Sequence, residues 1–60
     1  MSVLVVGTGL IGTSIALGLT AQGREVFLSD IDASALDSAV KVSGAPAYKD
    51  QQISLVIVAT

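Results

Sequence analysis

The chain has no cysteine and no histidine, three basic residues in all, and a single proline, phenylalanine and tyrosine. Without cysteine there is neither a disulfide framework nor a thiolate metal site. Without histidine, the commonest general base and the commonest metal ligand are both missing, and no metal site is expected. Three basic residues against five acidic ones leave a net charge of -2. That is too little positive charge for a phosphate-tracking surface, so nucleic acid is not an expected partner. Lys41 and Lys49 read as ordinary solvated surface charges. Met1 to Gly23 carries no charged side chain, which superficially suggests a signal peptide or a membrane span. A basic leading region is lacking, however, and Gly7, Gly9, Gly12 and Gly18 with Thr8, Thr13, Ser14 and Thr20 interrupt the apolar run. A further strand-like segment follows where a cleavage site would fall. The membrane and secretory readings are set aside on these grounds, and the expected location is the cytoplasm.

What is present is apolar. Hydrophobic residues make up 52% of the sixty residues against 13% charged, a balance that excludes disorder. A chain of this length buries only about 60% of its unfolded surface. The most informative stretch is Val3 to Gly12, Val-Leu-Val-Val-Gly-Thr-Gly-Leu-Ile-Gly. Three glycines spaced G-x-G-x-x-G are a weak signal alone. Here they follow a strand-like run, open a helix-like run, and precede an acidic residue, Asp30, by eighteen positions counted from Gly12. That combination is a dinucleotide-binding fingerprint.

The coarse elements follow from pattern. An unbroken aliphatic strand at about Val3 to Val6, led into by Met1 and Ser2, suits a parallel sheet covered on both faces. A helix from about Leu10 to Gln22 carries an apolar stripe of Ile11, Ile15 and Leu19 beside the small Gly12 and Ala16, with Gly23 as its stop. A second strand, about Glu25 to Ser29, buries Val26, Phe27 and Leu28 and ends at Asp30. Asp32 caps a second helix, about Ala33 to Val42, whose core face is Ala35, Leu36, Ala39 and Val40. Asp37 and Lys41 pair on its wet face, and Gly44 and Pro46 end it. Ala47 to Asp50 reads as a short third strand, and Ser54 to Ala59 as a buried fourth one.

The expected fold is therefore α/β, the first half of a Rossmann-type doubly wound parallel sheet, β-α-β-α-β-β with right-handed crossovers and spatial order 3-2-1-4. A sheet stopping at its fourth strand leaves an edge, so residues 1-60 are expected to be the amino-terminal part of a dinucleotide-binding domain in a larger protein.

Each residue of the turn has a mechanical reading. Gly7 permits the tight exit from the first strand, Gly9 lets a pyrophosphate approach the backbone, and Gly12 lets the helix pack close to the strands. With Thr8 between them, the amides of Leu10 and Ile11 stand at the positive end of the helix, aimed at the pyrophosphate. Thr13 and Ser14 are further hydroxyl donors. Asp30 is placed to accept from both hydroxyls of an adenine ribose and to repel a 2′-phosphate, and no Arg or Lys follows at Ile31 or Asp32. The expected cofactor is NAD rather than NADP. A ligand-free glycine turn, and an Asp30 that only caps the strand end, are the plain alternatives. No nucleophile-base pair or carboxylate pair can be assembled from the rest. Asp37 and Asp50 read as solvated charges and Tyr48 as packing, so catalytic groups are expected beyond Thr60.

The phrase Val5 to Ala16, with Gly7, Gly9, Leu10, Ile11, Gly12, Ser14 and Ala16, resembles the amino-terminal segment of prephenate dehydrogenases, whose motif runs G-x-G-L-I-G-x-S, an apolar residue, then Ala. Glu25 to Asp32 is similar to that family's second strand and acidic end. Val56 to Thr60 resembles its strand before a proline-containing loop. The resemblance implies NAD-dependent oxidative decarboxylation of prephenate to 4-hydroxyphenylpyruvate in tyrosine biosynthesis. A base takes the hydroxyl proton, the hydroxyl-bearing carbon passes hydride to nicotinamide, and carbon dioxide leaves as the ring aromatises. It also implies a homodimer through a helical carboxyl-terminal domain, with the catalytic histidine and the substrate-gripping basic residues in later segments. Several relatives use the same turn. β-Hydroxyacid dehydrogenases more often carry Met where this chain has Ile11. Pyrroline-carboxylate reductases usually lack the acid at position 30, and flavoproteins usually place Glu there. An arogenate-preferring dehydrogenase would share these residues, and a non-catalytic NAD-sensing module is the alternative outside the enzymes.

Overall fold

A computed structural model describes residues 2-60; the lead-in expected at Met1 lies outside them. The elements are β1 (Ser2-Val6), α1 (Leu10-Ala21), β2 (Glu25-Ser29), α2 (Ala33-Ser43) and β3 (Leu55-Val58). The strands form one parallel sheet in the order β2-β1-β3. Val3, Leu4 and Val5 pair with Val26, Phe27 and Leu28 on one side and with Leu55, Val56 and Ile57 on the other. The Ser2 hydroxyl donates to the Glu25 carboxylate at the foot of the β1-β2 pair.

Both helices contact β2 and each other, which places them on one face of the sheet. Alternation then decides what is buried. Val3, Val5, Val26 and Leu28 face the helices and form the core with Ala16, Ala39 and Ala45, while Ile15, Leu19, Leu36, Val40 and Ile57 close its margins. The expectation that β1 is covered on both faces is corrected here. Its second face carries Leu4 and Val6, both half-buried, because no helix of the described residues lies there.

Local chemistry explains the helix ends. Gly44, in the left-handed region at φ 78°, closes α2 with its N-H on the Val40 carbonyl. Asp32 caps the other end, its Oδ1 accepting from the N-H groups of Ser34 at 2.9 Å and Ala35 at 3.1 Å. Asp37 and Lys41 form the expected surface pair at 3.1 Å. Gly23, at φ 79°, follows the C-cap of α1 at Gln22.

Three further expectations differ from the structure. The stripe of α1 runs through Gly12, Ile15, Ala16 and Leu19, and Ile11 is 70% exposed. Gly12 and Ala16 are the buried residues of α1, so the contact line follows the small residues and turns Ile11 outward. The expected strand Ala47 to Asp50 is a single parallel bridge, Leu28 to Ala47. Pro46 has no N-H to extend the ladder, and Asp50 sits at φ 61°, which ends extended backbone on the other side. The bridge lies along the outer edge of β2, so the expected order of segments holds although the third is not a strand. Finally, β3 is four residues long and lies at the sheet edge, with Leu55, Val56 and Val58 exposed. The expected burial fails because β1 is the one element β3 packs along extensively.

Candidate functional site

The turn from β1 into α1 stands at the carboxyl end of the sheet, where parallel α/β sheets bind ligands. Gly7 lies at φ 99°, and its N-H donates to the Ser29 carbonyl at 2.8 Å. A Cβ at Gly7 would sit 2.8 Å from the Ala59 carbonyl oxygen. Both its φ and its surroundings therefore demand glycine. Gly12 is as constrained, for a different reason from the one expected. A Cβ there would fall 1.8 Å from the Gly7 carbonyl oxygen, so the close approach is between helix and turn rather than between helix and strands. Gly9 differs from both. A Cβ on it would meet nothing within 4 Å, which leaves open space on the side where a pyrophosphate would approach.

Gly9 is also the N-cap of α1, and no side chain caps that end. The first turn carries no acidic residue. The amides of Leu10 and Ile11 thus begin a helix whose positive end lacks a side-chain acceptor, as an anion site requires. Thr13 and Ser14 were expected to add hydroxyl donors, but both hydroxyl protons are committed elsewhere. Thr13 Oγ1 donates to the Thr8 carbonyl at 3.0 Å, and Ser14 Oγ donates to the Leu10 carbonyl at 2.8 Å.

Asp30 follows β2 directly and bends back onto the turn. Its Oδ2 accepts from the Thr8 N-H at 2.6 Å and from Thr8 Oγ1 at 2.7 Å, while Oδ1 accepts from the Asp32 N-H at 2.9 Å. Hydrogen bonds to the charged form favour it. The Asp32 N-H first, and then the two Thr8 donors, hold the Asp30 carboxyl at about 2, below its ordinary value. Two donors fill the lone pairs of Oδ2, and one acceptor position remains on Oδ1. Thr8 itself is buried at 4% exposure. Sequence reasoning named Thr8 only as part of the turn and missed its bond to Asp30. The available signal was a hydroxyl between the first two glycines and a carboxylate at the end of the neighbouring strand.

Beside the turn, a groove of about 380 Å³ runs between the helices, with Gly9, Leu10 and Thr13 on one wall and Ala35, Ser38 and Ala39 on the other. Leu10 on the first wall is itself exposed, as are Ile11 and Ile31 elsewhere on the surface. Asp32, by contrast, spends its side chain capping α2. Asp37 pairs with Lys41 on the helix surface, away from the turn. Among the described residues no helix is long and apolar enough to cross a membrane.

The open space at Gly9, the uncapped start of α1 and the ionised Asp30 fit a dinucleotide. Comparison with known families agrees. The profile described as 3-hydroxyacyl-CoA dehydrogenase, NAD binding domain, matches residues 2-56. The match is to that family and not specifically to the prephenate dehydrogenases. No curated protein and no solved structure matches the chain. The chain belongs to the NAD-binding domain family of 3-hydroxyacyl-CoA dehydrogenases: it is a partial Rossmann fold and NAD is its cofactor.

Proposed function

We propose that this NAD-binding domain serves a dehydrogenase that oxidises a hydroxyl-bearing carbon. The observation carrying the reading is the joint placement of the glycine turn and Asp30, whose charged oxygens lie against Thr8 of that turn. The residues proposed to hold NAD are Gly7, Thr8, Gly9, Leu10, Ile11, Gly12 and Asp30. Gly9 and the amides of Leu10 and Ile11 take the pyrophosphate, and Asp30 takes the adenine ribose through Oδ1. When bound, the nicotinamide supplies the hydride acceptor. The sixty residues contain no histidine and no cysteine, so the base that removes the hydroxyl proton is proposed to come from other sequence, together with the substrate-gripping residues and a dimerising domain.

Two substrates have specific support. The phrase Val5 to Ala16 favours prephenate, oxidised with loss of carbon dioxide. The family match favours a 3-hydroxyacyl thioester, and with it the β-hydroxyacid type of dehydrogenase. Following reduced-cofactor formation by the complete protein with prephenate, arogenate and a 3-hydroxyacyl-CoA, each with NAD and with NADP, separates them. Turnover of prephenate with NAD supports the first, and turnover of the thioester supports the second. NAD binding with no turnover of any of the three would overturn both substrate assignments.

A further inference from the structure

The turn and the end of β2 are joined by a side chain whose use is not explained by packing alone. We infer that Thr8 is a positioning residue, whose hydroxyl fixes the Asp30 carboxylate in the orientation that accepts a ribose hydroxyl and turns away a 2′-phosphate. The inference rests on the proposed role of Asp30 at the ribose.

The geometry argues it in steps. A carboxylate on a short side chain rotates broadly about its last torsion. Asp30 is held instead at three points: two donors of Thr8 on Oδ2, and the Asp32 N-H on Oδ1. The Thr8 hydroxyl is itself placed by burial, at 4% exposure, and the Thr8 carbonyl is held by Thr13 Oγ1 at 3.0 Å. The carboxylate plane is therefore set before any ligand arrives, which lowers the ordering cost of binding. Oδ2 faces the buried Thr8 and is filled by it, so Oδ1 is the oxygen left to a ribose. A charge held there repels a 2′-phosphate, whereas a carboxylate free to swing can turn aside and tolerate one.

Replacing the hydroxyl with a methyl separates this from a structural role. In Thr8→Val the Thr8 N-H stays, the branched shape stays, and the position freed on Oδ2 faces a buried methyl that no ribose reaches. Thr8→Ser restores the hydroxyl without the methyl. NADH and NADPH affinities would be titrated by nicotinamide fluorescence in the purified protein for wild type, Thr8→Val, Thr8→Ser and Asp30→Ala, with thermal midpoints measured alongside. Thr8→Val is expected to weaken NADH about threefold to tenfold, part of what a charge-assisted hydrogen bond carries, with NADPH much less affected. Thr8→Ser is expected to stay within about twofold of wild type on the same grounds.

Unchanged or tighter NADH binding by Thr8→Val overturns the inference, and so does an equal loss of both cofactors. A Thr8→Ser as weak as Thr8→Val also overturns it, since the methyl and not the hydroxyl would then matter. Asp30→Ala distinguishes the levels. If it shifts the preference towards NADPH while Thr8→Val does not, the site reading stands and the role of Thr8 falls. If Asp30→Ala leaves the preference unchanged, both fall.

Discussion

Asp30 holds three protein donors on its two oxygens before any ligand is considered. Its acidity follows, and with it a dependence of stability on pH. The folded value of about 2 lies below the roughly 3.9 of an unfolded aspartate. A depressed carboxyl stabilises the folded state above the unfolded value, and that contribution is lost as pH falls through the folded value. Thermal midpoints measured from pH 7 to pH 2 for wild type and Asp30→Asn test this. The gap between the two is expected to be constant above about pH 5 and to narrow from there towards pH 2, over the window set by the two pKa values. A gap that widens on acidification would show that these bonds do not favour the charged form. The neighbouring Asp32 is not interchangeable with Asp30 although it is two residues away, because its oxygen is spent on the amides of α2.

At the scale of elements, α1 shows how a helix is seated by what it lacks. Gly12 lets the first turn of α1 close over the Gly7 carbonyl, and a methyl there has nowhere to go. Gly12→Ala is therefore expected to destabilise the fold by about 2 kcal/mol or more, as overpacking against backbone does, and to lower NADH affinity by displacing the amides of Leu10 and Ile11. Chemical denaturation with parallel fluorescence titration checks it; wild-type stability would show that the turn yields easily. The same helix marks the boundary of what the sequence discloses. The glycines, Asp30, the Asp32 cap and the Gly44 stop are read from residue type and spacing, because each answers a local backbone demand. The outward turn of Ile11 is not legible, since a periodic stripe gives a face but not which end of it touches first. Nor is the Thr8 to Asp30 bond, whose partners are 22 residues apart and meet only once β1 and β2 are in register. The segment after Pro46 fails as a strand at Asp50, whose positive φ is a conformation aspartate favours more than most residues but adopts at few of its positions.

At the scale of the whole, the described residues form a three-stranded sheet with both helices on one side, and its other side and its β3 edge are apolar. Val56 and Val58 are exposed there beside Leu55, next to an edge with unpaired backbone groups. The sixty-residue chain is accordingly expected to associate as its concentration rises, and Val56→Lys, which charges the open face of the edge strand, is expected to reduce that association. Sedimentation velocity over a concentration series decides it; a monomer at every concentration would show that the exposed edge is inert. Folding Val56 under an added layer would abolish the same association without any substitution.

The middle place of β1 has a consequence for the order of events during synthesis. Val3 to Val6 leaves the ribosome before both of its hydrogen-bonding neighbours, Val26 to Ser29 and Leu55 to Val58. The central strand therefore waits with an open ladder on one side until β2 is made and on the other until β3 is made. Gly7 waits too, since the carbonyl that crowds it belongs to Ala59. Contacts so distant in sequence are slow to form, and an apolar strand left unpaired is what holding chaperones recognise. The residues that mark the cofactor turn precede both β2 and β3 in sequence, but their setting is finished only after Ala59 has been added.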